Sequence, residues 1–329
     1  MTGSSDAPLV NILNVEKTFG DGGGFLSTAQ PIVNALNNVS LSIEKGDSFC
    51  LVGESGCGKS TLARTVIGLH PPTKGEIHYQ GTRIDSLSAK GRQPFKRKMQ
   101  MIFQNPYASL NPRMTVTQIL EEPLKIHEKG MSKVALKEKV EEVMVSVGND
   151  PAWGPRYPHE FSGGQRQRIS IARALMLDPE FVVADEPISA LDVSIQAQVL
   201  NVMMDAQEKR NLTYLFITHD LSIVEHFGSK VAVMYLGTVC ELAEVKNLFD
   251  APRHPYTQAL LSAIPKIDGS GVNHIKMSGE VPTAMDLPSG CVFHPRCPYA
   301  NERCRRDIPT LADNGNTKTA CFAVEEGRV

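Results

Sequence analysis

No stretch of the chain is apolar for long enough to cross a bilayer, and its first residues lack the charged-then-apolar pattern of an export signal. The protein is therefore expected in solution or held at a membrane by partners. A dominant charge is missing too. With 34 Lys and Arg against 36 Asp and Glu, the net charge is −2, and no basic field draws the chain to nucleic acid or anionic lipid. Tryptophan is reduced to Trp153, which beside Gly154-Pro155 reads as a packed loop residue. Paired C-x2-C motifs and the ferredoxin cysteine run are absent, so the seven cysteines announce neither the usual zinc site nor the usual iron–sulfur site. What remains, over 329 residues, is material for a core of more than one layer plus an appendage.

Against this background one segment is chemically demanding. Gly53-Glu54-Ser55-Gly56-Cys57-Gly58-Lys59-Ser60, followed by Thr61, has the G-x-x-x-x-G-K-[ST] spacing of a phosphate-binding loop. Glycines let backbone N–H groups converge on a β-phosphate, the lysine reaches the outer phosphates, and the serine hydroxyl suits Mg²⁺. The context agrees. Ser48–Val52 is a short apolar run that reads as a buried strand, and Thr61–Gly68 has helical spacing ending at glycine. A flexible Gly/Ser linker would neither end in Lys-Ser nor sit between a strand and a helix.

A second apolar run, Phe181–Ala184, leads into Asp185 and Glu186, placing two carboxylates at the carboxyl end of a strand. By itself Asp-Glu-Pro reads as a strand ending in a solvated turn. Together with a phosphate loop it offers a Mg²⁺ ligand, Asp185 with Ser60, and a base for water, Glu186. Phe161-Ser162-Gly163-Gly164-Gln165 precedes a patterned helix over Gln165–Leu177, with Ser162 as its N-cap. A cap alone leaves the Gly-Gly pair unexplained. Glycines cost helix stability but admit a phosphate to the N–H groups at the positive end of the helix.

Between Asn105 and Glu160 the pattern turns helical and charged, with helices expected over Val116–His127 and Ser132–Val147. This reads as a helical insertion in an α/β core, its apolar stripe mostly packed and its charges, such as Lys125, Glu138 and Lys139, mostly solvated. Strands are expected over Met99–Phe103, Tyr214–Thr218 and Lys230–Tyr235, with a helix over Val193–Lys209. Near Ala251 the composition shifts to proline-broken sequence with one short helix around Thr257–Ala263, which reads as a separate, loop-rich extension. Cys50, Cys57 and Cys240 are scattered small residues, although alkylation of Cys57 would block the phosphate loop. Cys291, Cys297, Cys304 and Cys321 fall close together and read as a staple. Iron–sulfur cluster, zinc and free thiols remain open for them, with disulfides disfavoured in a chain lacking an export signal. His294, between two of these cysteines, reads as a solvated loop histidine.

The loop at 53–60, Gln104 after its strand, the Phe161–Gln165 pentapeptide, Asp185-Glu186, the Ser189–Asp192 turn and His219 occur in the order of the ABC ATPases. More narrowly, Phe103–Arg113, Arg156–Glu160 and Pro252–Leu261 resemble the ATPase subunits of bacterial dipeptide and oligopeptide importers, specifically the second ATPase of a heterodimeric pair. The resemblance covers nearly the whole chain. It implies a P-loop α/β fold: an ABC core with an antiparallel β subdomain and an inserted helical subdomain (about 105–171) within 1–250, and a loop-rich cysteine-containing extension over 251–329.

It also implies roles. Gly53, Glu54, Ser55, Gly56, Cys57, Gly58, Lys59, Ser60 and Thr61 would cradle ATP, and Phe19 would stack on adenine, separated from the loop by a Gly-rich insertion at 20–31. Ser60, Gln104 and Asp185 would serve Mg²⁺, with Gln104 beside the membrane partner. Ser162, Gly163, Gly164 and Gln165 would close the site of the other ATPase subunit, with Asp192 at that interface. Glu186 would be the base and His219 would steady the γ-phosphate and the attacking water. Cys291, Cys297, Cys304 and Cys321 would hold a [4Fe–4S] cluster of structural role. Two permease subunits, an extracytoplasmic peptide-binding protein and a related ATPase would be the partners, at the cytoplasmic face of the membrane, with no nucleic acid. A soluble ABC ATPase acting on DNA or ribosomes would carry long coiled-coil insertions or two cassettes with basic linkers, neither of which is present. A P-loop kinase or GTPase leaves the pentapeptide and His219 without roles. Glutathione and nickel stand beside peptides as cargo, since selectivity would lie in other subunits.

Overall fold

The computed structural model describes residues 7–20, 31–264, 275–277 and 279–329. Most of the Gly-rich insertion lies outside the described residues, as do positions 265–274 and Ser278 of the proline-broken stretch. The chain forms β1 (Val10–Phe19), β2 (Val33–Ile43), β3 (Ser48–Val52), α1 (Lys59–Val66), β4 (Lys74–Tyr79) and β5 (Thr82–Arg83). Then come α2 (Gln93–Lys98), β6 (Met99–Ile102), α3 (Pro106–Ser109), α4 (Val116–His127), α5 (Lys133–Ser146) and α6 (Gly163–Leu175). They are followed by β7 (Phe181–Asp185), α7 (Val193–Arg210), β8 (Thr213–Ile217), α8 (Leu221–Phe227), β9 (Lys230–Tyr235), β10 (Thr238–Glu244) and α9 (Val245–Asp250). The C-terminal part adds α10 (Pro255–Ser262), α11 (Glu302–Arg306), β11 (Ala312–Asn314), β12 (Thr317–Thr319) and α12 (Phe322–Glu325).

Two compact units result: 1–44 with 48–86 and 218–329, and 45–47 with 87–217. In the first, β2, β1, β4 and β5 make an antiparallel sheet in that order, and a second run places β3 parallel to β9, with β10, β12 and β11 following antiparallel. All five residues of β3 are buried, as a strand covered on both faces must be, which is why it reads as one apolar run rather than an alternation. Leu236 and Gly237, both at positive φ, turn β9 back into β10, the two-residue hairpin geometry that matches strand twist. Residues 251–329 belong to this unit. They supply β12, which pairs with β10 from Glu241↔Thr319 to Ala243↔Thr317, as well as the expected loops.

In the second unit β6, β7 and β8 are parallel and β7 and β8 are wholly buried, with α7 making the crossover between them. The helices of the insertion stand where the pattern puts them. α4 opens on a capping box between Thr115 and Gln118, and α5 on a cap from Ser132 to the N–H of Ala135. α7 stops at Asn211, whose left-handed φ of 51° closes the last turn.

Several boundaries differ by one or two residues from those expected of the sequence. α1 and α6 each begin two residues early, at Lys59 and Gly163, because backbone geometry, not apolar spacing, sets a helix start. α10 begins at Pro255, the N1 position that proline favours. The strand β1 leaves no clear periodicity, whereas β2 ends on the alternation Val39-Ser40-Leu41-Ser42-Ile43, buried at its apolar positions. Asn14, at a φ of 47°, sits in a register shift between Ile12 and Val15, so the buried face changes phase within the strand.

Candidate functional site

The phosphate loop leaves the end of β3 and runs into α1. Gly53 and Gly58 have φ of 147° and 104°, and a Cβ on them would lie 2.2 Å from Met234 O and 2.4 Å from Ala35 O, so the loop's tight path admits no side chain there. Gly237 N donates to Cys57 O at 2.9 Å, bracing the loop on the β9–β10 turn. Gly58 caps α1 without a side-chain hydrogen bond, which leaves the positive end of that helix to a ligand rather than to a capping side chain.

Lys59 is buried at 4% exposure, and its Nζ donates to Gly53 O at 2.7 Å and Glu54 O at 2.9 Å, which fixes a cation at the loop. Cys57 is buried as well. Burial pushes its thiol up, only partly offset by Lys59, which favours the protonated, less reactive form. Phe19, in the same unit, is half-buried with its ring edge-on to His70 at 5.4 Å and Lys17 Nζ 4.9 Å from its centre. His219 follows Thr218 on an exposed bend, ahead of α8, which Asp220 caps at the N–H of Ser222.

In the other unit, Asp185 ends β7 with 1% exposure. Glu186 follows in the left-handed region at a φ of 44°, a conformation that a non-glycine residue holds only at a cost. Its N–H donates to Ile217 O at 3.0 Å, and its Oε2 accepts from Gln104 Nε2 at 2.8 Å. The structure thus brings together two of the expected site residues, 82 positions apart. Ser162 caps α6 reciprocally with Gln165: its Oγ accepts from Gln165 N at 3.4 Å and its N–H donates to Gln165 Oε1 at 3.0 Å.

Gly164 has a packing reason beyond any ligand. A Cβ on it would stand 2.3 Å from Ile195 Cγ2 of α7, so glycine is what lets these two helices approach. Sequence reading misses this because the partner lies in a distant helix. Asp192 is the N-cap of α7, with an exposed side chain that makes no cap hydrogen bond.

The four C-terminal cysteines are neighbours. Cys291 N donates to Cys304 O at 2.9 Å, and burial, followed by the influence of the other thiols, pushes Cys291 up to about 12. Arg328 Nη2 lies 3.8 Å from Cys304 Sγ. Yet among the described residues no three His, Cys, Asp or Glu side chains are arranged to hold a metal ion. The expectation of a formed metal site is not met by this arrangement.

The family described as "ABC transporter" matches residues 36–189, and the one described as "Oligopeptide/dipeptide transporter, C-terminal region" matches 240–304. The Bacillus subtilis (strain 168) oligopeptide transport ATP-binding protein AppF is 49% identical over 317 residues, covering 95% of this chain and 96% of its own. The chain belongs to the ABC transporter ATP-binding proteins of the oligopeptide/dipeptide type. Another member, the dipeptide transport ATP-binding protein DppF of Escherichia coli (strain K12), is 48% identical over 320 residues, 97% of this chain and 95% of that one. Among solved structures, the ATP-binding cassette MJ0796, dimeric and bound to ADP and Pi, superposes with a TM-score of 0.64 at 28% identity, over 72% of this chain and 98% of its own. CbiO1 of Clostridium perfringens shares the fold, with a TM-score of 0.64 at 22% identity over 75% of this chain and 92% of that chain. This ABC ATP-binding protein therefore has the cassette fold expected of it, a mixed α/β structure with both antiparallel and parallel strand pairing. Among the described residues no helix is long and apolar enough to cross a membrane.

Proposed function

We propose that the chain is the ATP-hydrolysing subunit of a binding-protein-dependent importer of di- or oligopeptides, working at the cytoplasmic face of the membrane with two permease subunits and a second, related ATPase chain. The observation that carries this reading is near-full-length identity of 48–49% to proteins named for oligopeptide and dipeptide transport, C-terminal region included.

In this reading Gly53–Thr61 bind the triphosphate, with Lys59 on the outer phosphates, and Phe19 stacks on adenine. Glu186, oriented by Gln104, takes the proton of the attacking water, and His219 holds the γ-phosphate. Ser60, Asp185 and Gln104 offer only hard oxygen donors, the set that suits Mg²⁺, which would neutralise phosphate charge there. Ser162, Gly163, Gly164 and Gln165 serve the nucleotide of the partner ATPase, and Asp192 meets that partner. The exposed cap at Ser162 and the dimeric state of the relative MJ0796 support this. ATP then joins two subunits, and hydrolysis, by removing the γ-phosphate contacts, lets them part and move the permeases.

The test is reconstitution. The chain, copurified with its membrane subunits in liposomes, is expected to hydrolyse ATP faster when a binding protein presents dipeptides or oligopeptides. Stimulation by glutathione or nickel alone would remove the peptide assignment, and failure of any permease to copurify would remove the importer.

We propose the [4Fe–4S] cluster on Cys291, Cys297, Cys304 and Cys321 from the donor type alone, four soft sulfurs, since their side chains are not arranged around a metal position in this structure. Anaerobically prepared protein is expected to absorb near ~400 nm and to yield iron and sulfide in ratio to protein. Colourless protein containing zinc, or no metal, would rule the cluster out.

A further inference from the structure

Glu54, the second residue of the phosphate loop, puts a carboxylate in a loop built to bind a polyanion. An unpaired anion there opposes the ligand. The C-terminal segment answers it. Arg296 Nη1 and Nη2 donate to Glu54 Oε2 at 2.8 Å and Oε1 at 3.2 Å, a forked pair bridging 242 residues of sequence, and the arginine side chain is only 7% exposed.

Its mounting is rigid. Arg296 closes a short helical turn over His294–Arg296, its N–H donating to Phe293 O at 3.0 Å, and Nη1 also reaches Tyr235 Oη at 3.4 Å. Tyr235, Tyr256 and Phe293 pack ring against ring at 4.9–5.4 Å, beneath this turn. The same cluster holds the loop's backbone, since Glu54 N donates to Tyr256 Oη at 2.9 Å. Tyr256 is fixed in turn. Buried Glu241 of β10 accepts from the N–H groups of Arg253 and His254 at 2.8 and 2.9 Å, and His254 Nδ1 accepts from Tyr256 N at 3.0 Å.

We infer that Arg296 is a positioning residue for nucleotide binding: it neutralises Glu54 and turns it away from the phosphates, so that ATP affinity is set in part by the C-terminal segment. This rests on residues 53–60 being the phosphate loop. The segment Pro252–Leu261 and the turn that carries Arg296 thereby gain a task at the nucleotide, apart from any at the cysteines.

The experiment is a fluorescent ATP titration of the full-length protein. Arg296→Gln is expected to bind about tenfold more weakly, the scale of one uncompensated charge near a polyanion, whereas Arg296→Lys, which keeps the charge, loses less than about threefold. Adding Glu54→Gln to Arg296→Gln removes the exposed anion and is expected to recover affinity, which loss of packing alone would not do. Affinity of Arg296→Gln within about twofold of wild type, or a double variant no tighter than Arg296→Gln, overturns the proposal. Should Arg296→Gln fail to fold, Glu54→Gln alone carries the test. Tighter ATP binding supports the proposal, and unchanged or weaker binding overturns it. Lys59→Ala separates two failures. Wild-type affinity in that variant would overturn the phosphate-loop reading and this proposal with it, whereas lost binding there beside wild-type affinity in Arg296→Gln would overturn this proposal alone.

Discussion

Glu186→Gln is expected to bind ATP as the wild type does and to hydrolyse it about 10²–10⁴ times more slowly, the range a positioned general base contributes. The amide keeps the size of the carboxylate and an oxygen able to accept from Gln104 Nε2, now 2.8 Å from Glu186 Oε2, so the local arrangement survives. What is lost is the capacity to take a proton from water. Glu186 holds a left-handed φ of 44° directly after a fully buried strand, and such strain persists where the surroundings demand it. Because ATP remains intact, the variant is also expected to comigrate as a dimer with a partner ATPase in ATP, while wild type in ADP does not. Single-turnover phosphate release and size-exclusion chromatography read the two effects. Turnover near the wild-type rate would remove Glu186 from the role of base.

How much of this fold and site is legible in the amino-acid order depends on the kind of signal. Strands buried on both faces, β3, β7, β8 and β9, are continuous apolar runs and stand out, as do the capped helices of the insertion. The loop glycines are legible because the chemistry of phosphate binding dictates their spacing. β1 is not, since the shift around Asn14 breaks the alternation that identifies a half-buried strand. The proline-rich C-terminal part reads as loops because Thr317–Thr319 is too short and too polar to show a period, although it pairs with β10 in register.

Pairings across long separations leave the least trace. Nothing near Arg296 or Ile195 in the sequence points to Glu54 or Gly164, and only the fold brings each pair together. The Gly-Gly pair shows how the two kinds of reason coexist. Chemistry calls for a side-chain-free helix start, and packing independently requires glycine at the second position. Motif spacing reports what a ligand demands of the chain; it is silent on what the chain demands of itself.

Lys59→Ala is expected to abolish measurable ATP binding. A hydrogen bond to a charged group contributes about 1.5–3 kcal/mol, so loss of two such contacts to the outer phosphates lowers affinity by at least about 150-fold. The lysine also serves the loop itself: its Nζ is held by Gly53 O and Glu54 O, and removing it takes a donor from each, Glu54 O keeping only the N–H of Cys57 at 3.3 Å. Two effects are therefore superimposed, one on the ligand and one on the loop's own shape. A thermal melt without nucleotide separates them. A midpoint close to wild type, together with no saturable ATP binding, assigns the loss to the missing cation. A collapsed midpoint assigns it to the loop. Retained binding would mean that Gly53–Ser60 is not where the triphosphate sits, because Lys59 is the one cation in that segment and no neighbour within it can substitute.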